Sequence, residues 1–173
     1  MIRFFFLILF FSCVANDDIT NYVNITNYPI ECIKNAKITH TLNGSRKAVI
    51  EVGKIERFND NDVVFLLNGV NLNIYNSKNI LVSSLKSEKA EIDEKRNIYT
   101  ALIDVVLSDN NEKTLKSNSL VWDKINDLVY TQDNVVIETK DEVIYGSVFS
   151  SDSKFEKYSL KNVKGKFDLK IKD

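Results

Sequence analysis

Apolar and polar residues alternate in short runs along most of the chain, and no segment keeps a helical spacing of apolar residues. Residues 36–42 alternate up to Asn43-Gly44, a strong hairpin turn signal, and residues 46–52 are the predicted return strand. Further strands are predicted at 55–58, 63–67, 70–75, 80–85 and 166–172, with Asn68-Gly69 as a second turn. Short β-rich runs separated by Asn, Asp and Gly predict an all-β fold.

The middle of the chain repeats itself at an offset of 30 residues. Residues 85–87 (LKS) recur at 115–117, and residues 104–107 (DVVL) recur as NVVI at 134–137. A weaker third copy begins at residue 145. A fixed period of this size indicates stacked antiparallel β hairpins that share one core, because a single unit cannot bury its apolar face alone. The alternative is an ordinary β-sandwich whose hairpins are similar by chance.

The N-terminus reads as a targeting segment, in which a short basic start precedes the wholly apolar residues 4–11. This run is too short for a membrane-spanning helix, which needs about 20 residues. A small residue before Cys13 resembles the bacterial lipoprotein signal. We therefore predict a signal peptide at 1–12, a tether at 13–34 that starts from lipidated Cys13, and a β domain at 35–173. The alternative is a plain signal or short anchor, with Cys13 free to pair with Cys32.

Composition excludes several functional classes. The net charge of −1 gives no reason to bind nucleic acid. The sequence contains no Gly-rich phosphate loop, no CxxC, no HExxH and no nucleophilic serine elbow, and His40 is its single histidine. We therefore expect no enzymatic activity, no cofactor and no metal site. The lysines around the closing strand are expected to protect a sheet edge, with contact to anionic lipid headgroups as the alternative.

The order and spacing of the repeated phrases resemble the LptC family of lipopolysaccharide export. The phrases are SEKAEID (87–93), DVVL (104–107), LKSNSLVWD (115–123), NVVI (134–137) and IYGSVFSSD (144–152), within about residues 70–165. The resemblance implies an open β-jellyroll of the OstA-like type in the periplasm. The N-terminus departs from the family's usual long membrane helix, so the anchor to the membrane, expected to be the inner one, is predicted to be the N-terminal lipid or signal-anchor instead. The resemblance also implies that lipopolysaccharide or another amphiphile is received from an inner-membrane ABC transporter complex. The cargo would then pass to a periplasmic β-jellyroll bridge protein.

The same resemblance assigns roles to particular residues. Those implied to line the lipid-binding interior are Val105, Leu107, Leu120, Trp122, Val135, Ile137, Ile144 and Val148. Those implied to lie on partner-docking edge strands are Ile38, Thr39 and His40 toward the transporter, and Tyr145, Phe167 and Leu169 toward the bridge. The apolar residues could instead be ordinary core. A surface lipoprotein acting as an adhesin or host-binding module is the alternative function.

Overall fold

The computed structural model describes residues 28–58, 62–153, 155 and 157–167, with side chains up to residue 165. These residues form ten strands and no helix, which confirms the all-β prediction, and no described segment is a helix that could cross a membrane. The strands are β1 (Glu31–Leu42), β2 (Ser45–Arg57), β3 (Val63–Tyr75), β4 (Leu81–Ser87), β5 (Lys89–Asp93), β6 (Ile98–Asp109), β7 (Thr114–Asp123), β8 (Leu128–Glu138), β9 (Glu142–Ser151) and β10 (Tyr158–Phe167).

The strands form one antiparallel sheet in which neighbours along the chain are neighbours in space. β4 and β5 both lie between β3 and β6, and they act as one strand interrupted at Glu88. The backbone bridges this interruption, because Gly69 N donates to Glu88 O and Glu88 N donates to Ile103 O, both at 3.0 Å. Counting β4 and β5 together, the chain crosses the sheet nine times, and we call each crossing a pass. The sheet is therefore a meander of nine passes, consistent with the predicted β-jellyroll.

A line of irregular backbone crosses every pass near its middle, and we call it the bend line. Its residues have positive φ angles, lie at register shifts or, in the case of Glu88, interrupt a strand; they are Asn35, Gly53, Asn68, Gly69, Glu88, Ile103, Asp104, Asn118, Asp133, Val148 and Asn162. From Glu88 to Val148 the bends recur every 15 residues, half of the 30-residue sequence period. Each repeat is therefore one hairpin of two bent strands.

The bend line divides the sheet into two half-sheets. Half-sheet A contains residues 36–42, 45–52, 70–75, 81–87, 105–109, 114–117, 134–138, 142–147 and 164–167. Half-sheet B contains residues 31–34, 54–57, 63–67, 89–93, 98–102, 119–123, 128–131, 149–151 and 158–159.

The two half-sheets cover one another. Both hydrophobic clusters draw residues from both halves: one contains Leu115 and Leu120, the other Val52 and Ile55. Leu115 lies away from the bends and has no exposed surface, which one layer alone cannot provide. Folding the meander along the bend line therefore produces a two-layer interior, with burial of apolar surface stabilising it by about 25 cal/mol per Å².

Several predicted boundaries differ from the structure. The turn at Asn43-Gly44 is confirmed, but Asn68-Gly69 is not a turn, since both residues form a bulge inside β3. Their positive φ angles, 62° and 86°, satisfy the backbone of a bulge as well as that of a turn. β1 begins at Glu31, before the predicted domain start at residue 35. Residues 1–27, with the predicted signal and Cys13, and residues 168–173, with Leu169, lie outside the described residues.

Equivalent aspartates stand at the turns of successive hairpins, where Asp93 ends β5 and Asp123 ends β7. Asp93 Oδ1 accepts a hydrogen bond from Arg96 N at 2.7 Å, and Asp123 Oδ1 accepts from Ile125 N and Asn126 N, both at 3.0 Å. The bond from the Arg96 backbone, with that from its side chain, lowers the pKa of Asp93. The side-chain amide of Asn126 and then its backbone N–H lower the pKa of Asp123. The repeated aspartate is therefore explained by turn geometry.

Candidate functional site

One row of aliphatic residues runs across the inner face of half-sheet A. Each member is the cross-strand partner of the next, in the order Ile38, Ile50, Leu72, Leu85, Leu107, Leu115, Ile137 and Ile144. We call this set the aliphatic row. Directly opposed side chains in adjacent strands are close enough to touch. The row is thus a continuous apolar strip about eight strands wide, or roughly 35 Å at the usual strand spacing.

Burial along the aliphatic row changes from one end to the other. Ile38, at the β1 end, is 46% exposed, whereas Leu115 and Ile137 are fully buried. Ile33, on half-sheet B of the same edge strand, is 42% exposed, although its cross-strand partner Ile55 is buried. Apolar side chains of both half-sheets are therefore accessible to a ligand at the β1 end.

The β10 end is filled by the protein's own aromatic side chains. Phe155, in the connection between β9 and β10, is 1% exposed, and its ring centroid lies 5.7 Å from that of Phe149 and 5.9 Å from that of Tyr158. The Lys113 Nζ lies 4.0 Å from the centroid of Phe155 and donates a hydrogen bond to its carbonyl. It also lies 3.7 Å from Asp109 Oδ2. We call Phe155, Phe149, Tyr158 and Lys113 the aromatic cluster.

Seven of the eight residues predicted to line the interior belong to one core cluster or pack against it. Val105, Leu120, Val135, Ile137 and Ile144 are buried members, and Leu107 and Trp122 are partly buried and pack against the cluster. Val148 differs, because it occupies the bend line with a φ of 54° and belongs to neither cluster. The residue that follows it, Phe149, is the one that is buried. Lipid contact by these residues remains a prediction.

Trp122 contributes a polar atom to this apolar setting. Its ring lies 5.1 Å from that of Tyr99, its cross-strand partner in β6, at an interplanar angle of 33°. The Trp122 Nε1 is buried and has no hydrogen-bond partner among the described residues. Buried indole N–H groups usually have an acceptor, which makes this atom an exception.

Sequence reasoning missed two important interior positions. Leu115 is fully buried and stands one period after Leu85, so the repeat could have identified it. Phe155 had no such signal, because it comes from the irregular β9–β10 connection rather than from a periodic strand. Its φ of 58° is unfavourable for an aromatic residue, at a cost of about 1–3 kcal/mol. Packing and the Lys113 contacts hold it there.

The predicted docking residues fall in different places. Ile38, Thr39 and His40 are exposed on β1, the first strand of the sheet, which pairs only with β2 among the described strands. Tyr145 is not on an edge, because β9 is paired on both sides and β10 lies beyond it. Phe167 is the final residue of β10, which closes the described sheet. The second edge of the described sheet is therefore β10, not β9.

The described residues contain no group of His, Cys, Asp and Glu that could hold a metal ion. Cys32 is exposed in β1, and His40 is exposed on the same strand. What the fold does provide is a bent antiparallel β-jellyroll with an apolar interior that is accessible at one end. The class of protein that these observations define is an all-β domain of the β-jellyroll type with an apolar interior.

The comparisons with known proteins agree with that class. The family model described as "Lipopolysaccharide-assembly, LptC-related" matches residues 1–168, nearly the whole chain. The chain therefore belongs to the LptC family, a family of lipopolysaccharide-transport components associated with the periplasm and inner membrane. A search of curated proteins finds no matching relative.

Proposed function

We propose that this protein receives lipopolysaccharide, or a related amphiphile, from an inner-membrane ABC transporter at its β1 edge and passes it to a periplasmic β-jellyroll bridge at its β10 edge. The observation that carries the proposal is the graded aliphatic row, exposed at Ile38 and buried at Leu115 and Ile137. An acyl chain that replaces water along such a strip gains about 0.8 kcal/mol for each buried CH₂ group.

The sheet edges support the proposed order of transfer. β1 and β10 are the two terminal strands of the described sheet, and each offers unpaired backbone groups to a strand of another protein. Docking one jellyroll edge to the next would align their interiors, and main-chain hydrogen bonds would supply affinity without side-chain specificity. The apolar interior accessible at β1 is the side expected to receive cargo.

The anchor is the second part of the proposal. We propose that acylated Cys13 holds the chain to the inner membrane, with the residues up to Tyr28 as the tether. In this arrangement the β1 edge, which directly follows the tether, would lie nearest the transporter. The expected outcome is that mass spectrometry finds an acylated Cys13 at the mature N-terminus, and that Cys13→Ala releases the protein from the membrane fraction.

Site-specific photo-crosslinking tests the interior path. A benzophenone side chain at Ile50 or Leu72, both half-buried in the aliphatic row, is expected to capture the amphiphile when the transporter hydrolyses ATP. Glu51 and Asn71 are matched controls, because they are exposed cross-strand partners on the opposite face of β2 and β3.

Equal capture from the two faces would contradict the interior path. Absence of capture, together with removal of the protein from intact cells by added protease, would favour a surface-exposed adhesin or host-binding lipoprotein. Val135 and Ile137 are unsuitable for polar substitution, because both are fully packed and the change would unfold the domain.

A further inference from the structure

The unpartnered indole of Trp122 lies at a defined border of the interior. Its cross-strand partners are Tyr99 in β6 and Val129 in β8, and it directly precedes Asp123, which begins the polar turn between β7 and β8. Trp122 packs against the larger core cluster while its neighbour Asp123 accepts backbone hydrogen bonds at the turn. The Nε1–H thus lies where the apolar interior meets the polar end of the hairpins.

A buried N–H without an acceptor destabilises the folded protein, because it has lost its hydrogen bond to water and gained none in return. Phenylalanine or leucine would fill an apolar border without this cost. Trp122 is also the only tryptophan in the chain, and its Nε1 is the buried side-chain polar atom that has no partner within the described residues. An acceptor that arrives with a ligand would supply the missing bond.

Few groups of an amphiphile can accept a hydrogen bond from the buried Trp122 Nε1–H. Hydrocarbon chains carry none, and sugar hydroxyls and phosphates remain hydrated, so they are poor partners for an N–H from which water is excluded. The carbonyl that joins an acyl chain to its headgroup is the first acceptor beyond the chain, and it tolerates partial burial. Water exclusion also strengthens the hydrogen bond it would accept.

We propose that the Trp122 Nε1–H donates to the ester or amide carbonyl of the bound amphiphile, and so selects acyl-linked over alkyl-linked lipids. This inference rests on the proposed function, because it requires that an amphiphile enters the interior. It adds a position for the junction between acyl chain and headgroup: the acyl chain lies between the two half-sheets, and the junction lies at Trp122.

Two detergents that differ at the junction provide the test. The full-length protein is solubilised in dodecyl maltoside. Sucrose monolaurate is then added until the two detergents are present at equal mole fractions. Both have a disaccharide headgroup and a similar chain, but only the laurate has a carbonyl at the junction. Native mass spectrometry is expected to show the ester bound about tenfold more often than the glycoside, the preference that one hydrogen bond to a buried donor provides.

Two variants identify the responsible atom. Trp122→Phe is expected to bring the ratio of bound ester to glycoside close to one, because it removes the donor and keeps an aromatic ring. Tyr99→Phe removes the neighbouring hydroxyl and is expected to leave the ratio unchanged. The single indole N–H resonance of the wild-type protein gives a readout that needs no variant: it is expected to shift downfield with the ester and not with the glycoside.

The possible results separate the inference from the proposed function. A ratio near one in the wild-type protein, an indole resonance unmoved by the ester, or a ratio unchanged by Trp122→Phe would each overturn the role of Trp122 while leaving interior binding intact. Failure of the domain to bind either detergent would overturn both.

Discussion

The two ends of the sheet differ in how far their apolar side chains are covered. At the β10 end, Phe155 completes the interior and is 1% exposed, whereas at the β1 end Ile33 and Ile38 leave apolar surface accessible. The contacts differ as well. Lys113 is packed against aromatic rings at the β10 end, while Arg57 at the β1 end forms exposed ion pairs with Glu31 and Glu94.

This difference shows that the most tightly packed residues and the accessible apolar residues lie at opposite ends of one sheet. The aromatic cluster and the larger core cluster supply a fully packed end, whereas the smaller cluster, which lies mainly in β2 and β3, packs next to the exposed β1 edge. The β1 end can therefore expose isoleucines at a cost that the rest of the fold offsets. Three substitutions, in order of decreasing expected effect, test how strict this separation is.

The largest effect is expected from Phe155→Ala. Loss of a buried aromatic side chain leaves a cavity and should lower the free energy of unfolding by about 3–5 kcal/mol. The matched change at the open end, Ile38→Ala, removes a side chain that is already half-exposed and should cost about 1 kcal/mol or less. Chemical denaturation of both variants measures the two values. Similar losses at both ends would contradict the comparison.

Lys113→Met is expected to have an intermediate effect. The substitution keeps an apolar side chain of similar length, but it removes the donor to the Phe155 carbonyl and the partner of Asp109. Because these groups are largely buried, we expect a loss of about 1–3 kcal/mol. Lys37→Met is the control, since the Lys37–Glu51 pair at the β1 end is exposed and should contribute below about 1 kcal/mol. Urea denaturation midpoints distinguish the two; equal shifts would argue against a special role for Lys113.

The smallest effect is expected from Glu94→Gln, and it should depend on pH. Arg57 binds the Glu94 carboxylate through two hydrogen bonds, at 2.8 and 3.1 Å, and holds the pKa of Glu94 below its usual value. A carboxylate with a lowered pKa stabilises the folded state fully above its unfolded pKa of about 4.3, and this stabilisation is lost as the pH falls through the folded value.

The difference in melting temperature between the wild-type protein and Glu94→Gln should therefore be present at neutral pH, begin to shrink as the pH falls below the unfolded pKa of about 4.3, and vanish once the pH lies below the lowered folded pKa. Added salt should reduce it at neutral pH, because the pair is exposed. A difference that persists unchanged in acid would show that Glu94 stabilises the β1 end by some means other than its charge.

Much of this architecture could be predicted from the sequence because it is periodic. The 30-residue repeat indicates stacked hairpins, and the resemblance to the LptC family implies an interior set that includes Val105 and Val135, both of which are buried. The same logic failed at the bends. Asn68-Gly69 carries a turn signal, but it forms a bulge inside β3, because positive φ angles serve both structures.

Features without a period could not be predicted. Phe155 lies in an irregular connection, and its burial depends on Lys113, which is 42 residues earlier in the chain. The sequence predicts Tyr145 on an edge strand because it gives no sign that β10 begins as early as Tyr158 and pairs with β9. The missing acceptor of Trp122 is likewise a property of the packed interior and has no counterpart in the pattern of residues.

The strictly sequential order of the sheet has a consequence for how such a protein can change its length. Because each pass pairs with the pass before it, a further pair of bent strands could be added or lost without rethreading any other part of the chain. One such pair corresponds to 30 residues and would widen the sheet by roughly 10 Å. The reach of the protein between its two edges is therefore adjustable in discrete steps, by duplication of a single hairpin.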